Sequence, residues 1–124
     1  MAGVEATNSM SKASRDKGKR GERELAQLFT GEGYPAKRFG FAQTRFGGCE
    51  GADVVCEALP WLHIECKRYK TFMGSKLRAA LVQAEPDRKP NTIASVFHRE
   101  DDSKWFITME AVEFFRIVRG EFDN

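Results

Sequence analysis

Long apolar segments and paired cysteines are both missing from this 124-residue chain. No stretch approaches the roughly 20 consecutive apolar residues that span a bilayer, and the first residues contain no apolar core typical of a secretion signal. The three cysteines, Cys49, Cys56 and Cys66, form no C-x-x-C pair, which argues against a disulfide framework or a structural zinc site. We therefore expect a cytoplasmic protein with reduced thiols and no membrane partner.

Two common ligand-binding signatures are also missing. The Gly18-Lys19 dipeptide is not part of a complete G-x-x-x-x-G-K-S/T motif, so the sequence contains no phosphate-binding P-loop. No predicted strand carries the aromatic pattern of an RNA-recognition motif, which disfavours an RNA-binding module.

The composition suits one compact domain. Hydrophobic residues make up 41% of the chain and charged residues 31%, which supplies a core together with a heavily ionised surface. Residues 1–14 are small and polar without periodicity, and we expect a disordered tail there. Residues 15–124 are expected to form a single domain.

Charge is distributed unevenly along the chain. Basic residues outnumber acidic ones by 9 to 5 in residues 1–46 and by 7 to 3 in residues 63–90. Acidic residues outnumber basic ones by 3 to 0 in residues 47–62 and by 7 to 4 in residues 91–124. Two basic blocks therefore flank a short acidic one. Such blocks could hold a polyanion while the acidic segment binds a metal, and ordinary scatter of surface charge is the alternative.

Hydrophobic periodicity and breaker residues predict an α/β domain with the element order α-β-β-β-α-β-β-α. The first helix is predicted to start between Arg15 and Gly18 and to end at Gly31 or Gly33. The other predicted elements are an extended stretch over 36–46, strands over 52–57 and 61–67, a helix over 76–85 capped by Ser75, strands over 92–98 and 104–108, and a helix over 110–118 whose Phe114, Ile117 and Val118 pack inward.

The phase of the first helix separates two neighbouring glutamates. With 3.6 residues per turn, Leu25, Leu28 and Phe29 form one apolar stripe. Glu22 lies one turn before that stripe, on its edge, whereas Glu24 points away from it. A carboxylate at the border of an apolar stripe is half buried, which favours a functional role for Glu22.

A predicted hairpin brings reactive side chains together. Side chains alternate between the faces of a strand, so His63, Glu65 and Lys67 share one face. Asp53 begins the preceding strand, and antiparallel pairing can place its carboxylate beside Glu65. Two close carboxylates repel unless a cation lies between them, and Mg²⁺ prefers carboxylate and carbonyl oxygens. A strand-end salt bridge of Glu65 with Lys67 or Arg68 is the alternative interpretation.

Asp53 followed by Glu65-Cys66-Lys67 resembles the signature of the PD-(D/E)XK nuclease superfamily. The segment K-G-K-R-G-E-R-E-L at residues 17–25 resembles the first helix of archaeal-type Holliday junction resolvases and related phage nucleases. The resemblance implies a restriction-endonuclease-like fold, in which helices flank a central mixed sheet. Two positions depart from the pattern, because Ala52 replaces the proline that names the superfamily and Glu50 is an additional acid nearby.

The resemblance also implies metal-dependent hydrolysis of phosphodiester bonds in DNA, with Mg²⁺ as the cofactor and Mn²⁺ as a substitute. Lys67 is then expected to orient the attacking water or to stabilise charge on the phosphate. Gln83 resembles an accessory glutamine of related nucleases, and a plain surface position explains it equally well. The implied metal ligands are three carboxylates and one backbone carbonyl, from Glu22, Asp53, Glu65 and Cys66.

Basic residues near the hairpin and on the first helix are expected to contact the DNA backbone, namely Lys17, Lys19, Arg20, Arg23, Arg45, Arg68, Lys70 and Lys76. Phosphate contacts position DNA without reading its sequence. A domain this short carries no separate sequence-reading module, so the expected substrate is branched DNA such as a four-way junction. A homodimer supplies the two active sites that paired cuts require. The alternatives are a nuclease of the same fold acting on ends, flaps or plain duplex, and a non-catalytic DNA-binding protein.

Overall fold

The computed structural model describes residues 11–39 and 52–123 and gives an α/β fold built on one five-stranded mixed sheet. The predicted order of helices and strands is confirmed. The elements are α1 (Lys12–Gly31), β1 (Ala36–Arg38), β2 (Val54–Cys56), β3 (Leu62–Tyr69), α2 (Gly74–Ala84), β4 (Ile93–Glu100), β5 (Phe106–Thr108) and α3 (Ala111–Val118).

The strands lie side by side in chain order, from β1 at one edge to β5 at the other. β2 pairs antiparallel with both β1 and β3, and β5 pairs antiparallel with β4. β3 and β4 run parallel in register from Leu62↔Ile93 to Tyr69↔Glu100. Parallel neighbours need a crossover connection, which α2 supplies. In this order β3, the strand that carries Glu65 and Lys67, is the central strand of the sheet.

The two faces of the sheet are covered by different helices. On one face, α1 buries Leu25, Ala26 and Phe29 against a cluster that includes Val54 and Ile64. On the other face, α2 packs Leu77 and Ala80 around Val96 of β4. Because β3 alternates, Ile64 and Cys66 lie under α1, whereas Glu65 and Lys67 lie on the face that α2 partly covers.

α1 begins earlier than the periodicity predicts. The Ser11 hydroxyl accepts a hydrogen bond from the Ser14 backbone amide at 3.0 Å, which caps the helix and satisfies one of its unpaired donors. The prediction of a disordered tail is therefore wrong for residues 12–14, and residues 1–10 lie outside the described residues. Leu28, predicted on the buried stripe, is 37% exposed, because the buried side of α1 centres on Leu25, Ala26 and Phe29.

The start of α2 also differs from the prediction. The residue before the helix is Met73, which makes no side-chain capping bond, and Ser75 lies inside the first turn. The apolar face is confirmed, since Leu77, Ala80 and Ala84 are buried.

The prediction that the last helix packs inward is wrong within the described residues. α3 is amphipathic but has no buried residue, and Phe114 and Val118 are 50% and 64% exposed. An apolar pattern shows that a helix has an apolar face without showing what covers that face. α3 follows β5 at the edge of the sheet, and the segment after it is attached through Phe122, whose ring stacks on Trp61 at 5.1 Å.

Among the described residues, no helix combines the length and apolar character that crossing a membrane requires. The predicted extended stretch over 36–46 begins as β1, and residues 40–51 lie outside the described residues.

Candidate active site

The start of β2 places two carboxyl groups against each other. Val54 pairs with Ile64, and the Asp53 amide donates to the Ile64 carbonyl at 2.9 Å. Asp53 immediately precedes Val54 and Glu65 immediately follows Ile64, so the antiparallel pairing brings these two residues opposite each other. The two carboxyl groups lie within hydrogen-bonding range of each other. The register that the sequence predicts for this pair is therefore present.

Asp53 also bonds to the backbone of β3. Its Oδ2 accepts a hydrogen bond from the Cys66 amide at 2.8 Å. The N–H and C=O of one strand residue point toward the same neighbouring strand, so the Cys66 carbonyl faces the edge where Asp53 lies. Burial and the charge of Asp53 raise the pKa of the Cys66 thiol, which keeps it protonated at neutral pH. The carbonyl oxygen of Cys66, rather than its sulfur, is therefore the donor available to a hard cation.

The pKa of Asp53 is strongly shifted by its surroundings. Burial, followed by the charge and hydrogen bond of Glu65, raises the pKa of Asp53 from 3.8 to about 8. The hydrogen bond from the Cys66 amide opposes this shift, and the charge of Glu22 adds to it. Two carboxyl groups this close share a proton or require a cation.

Glu65 has a second partner on its own strand. His63 Nε2 lies 3.0 Å from Glu65 Oε1, and the two side chains are only 4% and 13% exposed. An ionised carboxylate only accepts, so with Glu65 ionised the ring nitrogen is the donor of this hydrogen bond. The His63 backbone is held by the Ser95 hydroxyl, which donates to its carbonyl at 2.8 Å.

Glu22 reaches the same region from α1. Its side chain is 19% exposed, and its Oε1 accepts from Arg38 Nε at 2.7 Å. Its negative charge acts on both Asp53 and Cys66. The Glu22 side chain is less exposed than that of Glu24, as the phase of the helix predicts. Glu24 nevertheless has hydrogen-bond partners of its own. Glu24 Oε1 accepts from Arg68 at 3.3 Å and from Arg99 at 3.1 Å.

A small polar cleft opens between β3 and α2. Its volume is about 190 Å³, and its lining includes Glu65, Lys67 and Gln83. Gln83 therefore belongs to the same site as the two residues of the E-x-K motif. Asp87, just after α2, lines the cleft as well.

The donors gathered here suit a hard divalent cation. In the part of the chain that the structure describes, no three His, Cys, Asp or Glu side chains form a group that could hold a metal. The available donors are the carboxylates of Asp53 and Glu65 and the carbonyl of Cys66. Mg²⁺ commonly binds through one or two carboxylates and keeps several waters, so this set fits it. Glu22 as a further ligand stays a prediction, because its Oε1 is engaged by Arg38.

The predicted DNA-contacting residues fall into two groups. Lys17 pairs with Asp101 at 2.9 Å, and Arg68, 13% exposed, pairs with Glu24 and Asp101. These two cations stabilise the packing of α1 against the ends of β3 and β4, and the candidate DNA surface does not include them. The other described members are exposed, namely Lys19, Arg20, Arg23, Lys70 and Lys76. Arg45 lies outside the described residues, as does Glu50.

Three residues of the site have contacts that the sequence does not predict, although strand alternation places His63 on the strand face of Glu65. Arg38 is the partner of Glu22, His63 is the partner of Glu65, and Asp87 lines the cleft. For His63, the two-residue spacing to Glu65 on one strand face is a signal that could have shown the contact. Arg38 and Asp87 depend on tertiary packing, for which the sequence gives no comparable pattern.

Comparison with known proteins identifies no relative. No protein-family model, curated protein or solved structure matches the chain.

Proposed function

We propose that this chain is a Mg²⁺-dependent endodeoxyribonuclease with a PD-(D/E)XK fold and site. The observation that carries the proposal is the partly buried pair of Asp53 and Glu65, with Lys67 two residues further along the same strand face. Burial and the neighbouring Glu65 raise the pKa of Asp53 to about 8, so ionisation of both carboxyl groups destabilises the folded protein unless a cation binds. We infer that Mg²⁺ is that cation, and that Mn²⁺ substitutes for it.

The residues of the candidate site have separate roles in this proposal. Asp53, Glu65 and the Cys66 carbonyl would hold the ion, which would supply a lowered pKa for the attacking water and neutralise charge on the scissile phosphate. The Lys67 ammonium donates to the phosphate or to the attacking water, where negative charge develops in the transition state. The Gln83 amide, on the opposite wall of the cleft, orients one of these groups.

The substrate inferred is branched DNA. The exposed cations Lys19, Arg20 and Arg23 follow one another along α1, and Lys70 and Lys76 flank the start of α2. Cations of this kind contact phosphates rather than bases, so they recognise the arrangement of strands and not their sequence. A four-way junction presents several backbones to such a surface.

We infer that the active species is a homodimer, because symmetric cutting of two strands requires two sites at a fixed separation. The exposed apolar side chains of α3 and β5 support an association between copies. They are Phe106, Ile107, Val112, Phe114, Phe115 and Val118.

The test is a cleavage assay with end-labelled four-way junction, flap and linear duplex DNA, in Mg²⁺ and in EDTA. We expect cleavage of the junction in Mg²⁺ and none in EDTA. Cleavage of all three substrates at similar rates indicates the more general nuclease of the same fold. Binding of DNA without cleavage in either Mg²⁺ or Mn²⁺ contradicts the enzymatic proposal and indicates a non-catalytic DNA-binding protein.

A further inference from the structure

The face of the sheet toward α2 carries two histidine–glutamate pairs of the same design. On β3, His63 Nε2 contacts Glu65 Oε1 at 3.0 Å, and on β4, His98 Nδ1 contacts Glu100 Oε2 at 2.8 Å. In each pair the two residues are two positions apart on one strand. The exposed fractions of the side chains also match: the histidines are 4% and 6% exposed, and both glutamates are 13% exposed. One pair includes a candidate metal ligand and the other does not.

The His63 contact restricts a side chain that otherwise has three rotatable bonds. With Oε1 accepting from the ring, the Glu65 carboxylate is held in one orientation, and Oε2 is the oxygen left to meet a cation. His63 itself is fixed, since its ring is almost fully buried and its backbone carbonyl accepts from Ser95. A ligand oriented before binding loses less conformational entropy when the ion arrives.

We infer that His63 is a positioning residue for the metal site, which holds Glu65 so that its second oxygen faces Asp53. This inference rests on the proposed function, because it needs the Asp53–Glu65 pair to bind a divalent ion. Groups that hydrogen-bond to metal ligands commonly affect metal affinity by about 10- to 100-fold. The contribution expected of His63 lies in this range and acts through the orientation of Glu65.

The test measures Mn²⁺ binding to the whole protein without DNA, from the electron paramagnetic resonance signal of the unbound ion. His63→Asn and His63→Leu both remove the contact, and we expect Mn²⁺ affinity to fall by about 10- to 100-fold. His63→Gln can place an amide N–H near the position of Nε2, and we expect it to restore most of the affinity. Thermal unfolding of each variant establishes that it is folded at the temperature of the titration.

The second pair supplies the matched control. His98→Gln and His98→Leu remove an equally buried histidine from an equivalent contact with Glu100, and we expect both to bind Mn²⁺ with wild-type affinity. A similar loss in the His98 and His63 variants contradicts the inference, because it indicates a general effect of core disruption.

Two further outcomes separate failure of this inference from failure of the proposed function. If Glu65→Gln loses Mn²⁺ binding while folded His63→Asn binds as the wild type does, the positioning role is wrong and the metal site stands. If Glu65→Gln and Asp53→Asn both bind Mn²⁺ with wild-type affinity, the metal site itself is wrong, and the role of His63 with it. An equal loss in His63→Gln and His63→Asn also contradicts the inference, because the hydrogen bond is then not the cause.

Discussion

Asp53 links the chemistry of the site to the stability of the protein. Its pKa rises from 3.8 to about 8 on folding, chiefly through burial and the neighbouring Glu65. Between these two pH values the folded protein binds a proton that the unfolded chain releases, so stability falls as pH rises. The stabilising contribution of this group is complete below about pH 4 and is lost by about pH 8.

We therefore expect the melting temperature of the metal-free protein to fall from pH 5 to pH 8 more steeply than that of Asp53→Asn. Thermal unfolding in EDTA at several pH values measures the difference, and the exposed Glu57→Gln on the same hairpin is the control that keeps the wild-type slope. Mn²⁺ added at pH 8 should raise the melting temperature of the wild type but not of Asp53→Asn. Equal slopes in wild type and Asp53→Asn contradict the assignment of this pKa.

Some residues of the site can be predicted from local sequence patterns, and others depend on contacts between distant segments. Asp53, Glu65 and Lys67 follow from strand alternation and one hairpin register, which are properties of the local sequence. The ion pair of Glu22 with Arg38 depends on how α1 packs against β1, and the cleft position of Asp87 depends on where α2 ends. Such contacts between distant segments have no periodic signature in the sequence.

At the scale of elements, α1 contains two glycines with different surroundings. A Cβ atom built on Gly21 collides with the Arg68 side chain, whereas one built on Gly18 meets nothing within 4 Å. Arg68 cannot easily move, because it bonds to Glu24 and Asp101. The close approach of α1 to β3 therefore requires glycine at position 21.

We expect Gly21→Ala to lower the free energy of unfolding by about 1–3 kcal/mol, as overpacking does. Gly18→Ala is the matched control in the same helix and should raise it by about 0.5–1 kcal/mol, since alanine favours the helix. Urea unfolding followed by circular dichroism measures both values. A loss of stability in Gly18→Ala equal to that in Gly21→Ala would show that the collision with Arg68 is not the cause.

The two glutamates of α1 give a second prediction at this scale. Glu22→Gln removes a charge that acts on Asp53, and we expect cleavage to fall by about 10- to 100-fold. Glu24→Gln weakens ion pairs with Arg68 and Arg99, and we expect near-normal cleavage with a stability loss of at most about 1 kcal/mol. Cleavage rates under single-turnover conditions, with unfolding curves of both variants, distinguish these effects. Equal loss of cleavage in the two variants contradicts a site at Glu22.

The sequence predicts correctly which face of a helix packs on the sheet. It does not predict where a helix begins or whether an outer helix is buried. Leu25 and Phe29 set the phase of α1 correctly, and Leu77 with Ala80 set that of α2. The start of α1 was missed because Ser11 caps the helix inside a polar segment without periodicity. The exposure of Phe114 on α3 was missed because periodicity does not identify a packing partner.

At the scale of the whole molecule, the proposed dimer and the proposed substrate are connected. A dimer doubles the exposed basic surface and places its two carboxyl pairs at a fixed distance from each other. A four-way junction then engages both carboxyl pairs, whereas a linear duplex engages only one of them. We expect a preference for the four-way junction over duplex of the same length. This preference shrinks as salt rises, because the protein neutralises more phosphates when it binds the junction. Competition between the two DNAs in one tube measures the preference, and light scattering gives the mass.

The variant Phe114→Ser with Phe115→Ser tests the surface of α3 in the same assays. Both rings are about half exposed, so their replacement should leave the fold intact and shift the mass toward that of a monomer, with loss of paired cuts. Equal cutting of junction and duplex by the wild type, or a strictly monomeric active species, contradicts this part of the proposal.

The most direct measurement is single-turnover cleavage of one labelled four-way junction in Mg²⁺ by the wild type, Asp53→Asn and Glu65→Gln, with binding of the same junction measured in Ca²⁺. If the carboxyl pair holds the catalytic ion, the wild type cleaves and both variants lose about 100-fold or more of the rate. Both variants should bind the junction as tightly as the wild type or more tightly, since each loses a negative charge near the phosphate. Cleavage by either variant at the wild-type rate would contradict a metal-dependent nuclease site at Asp53 and Glu65.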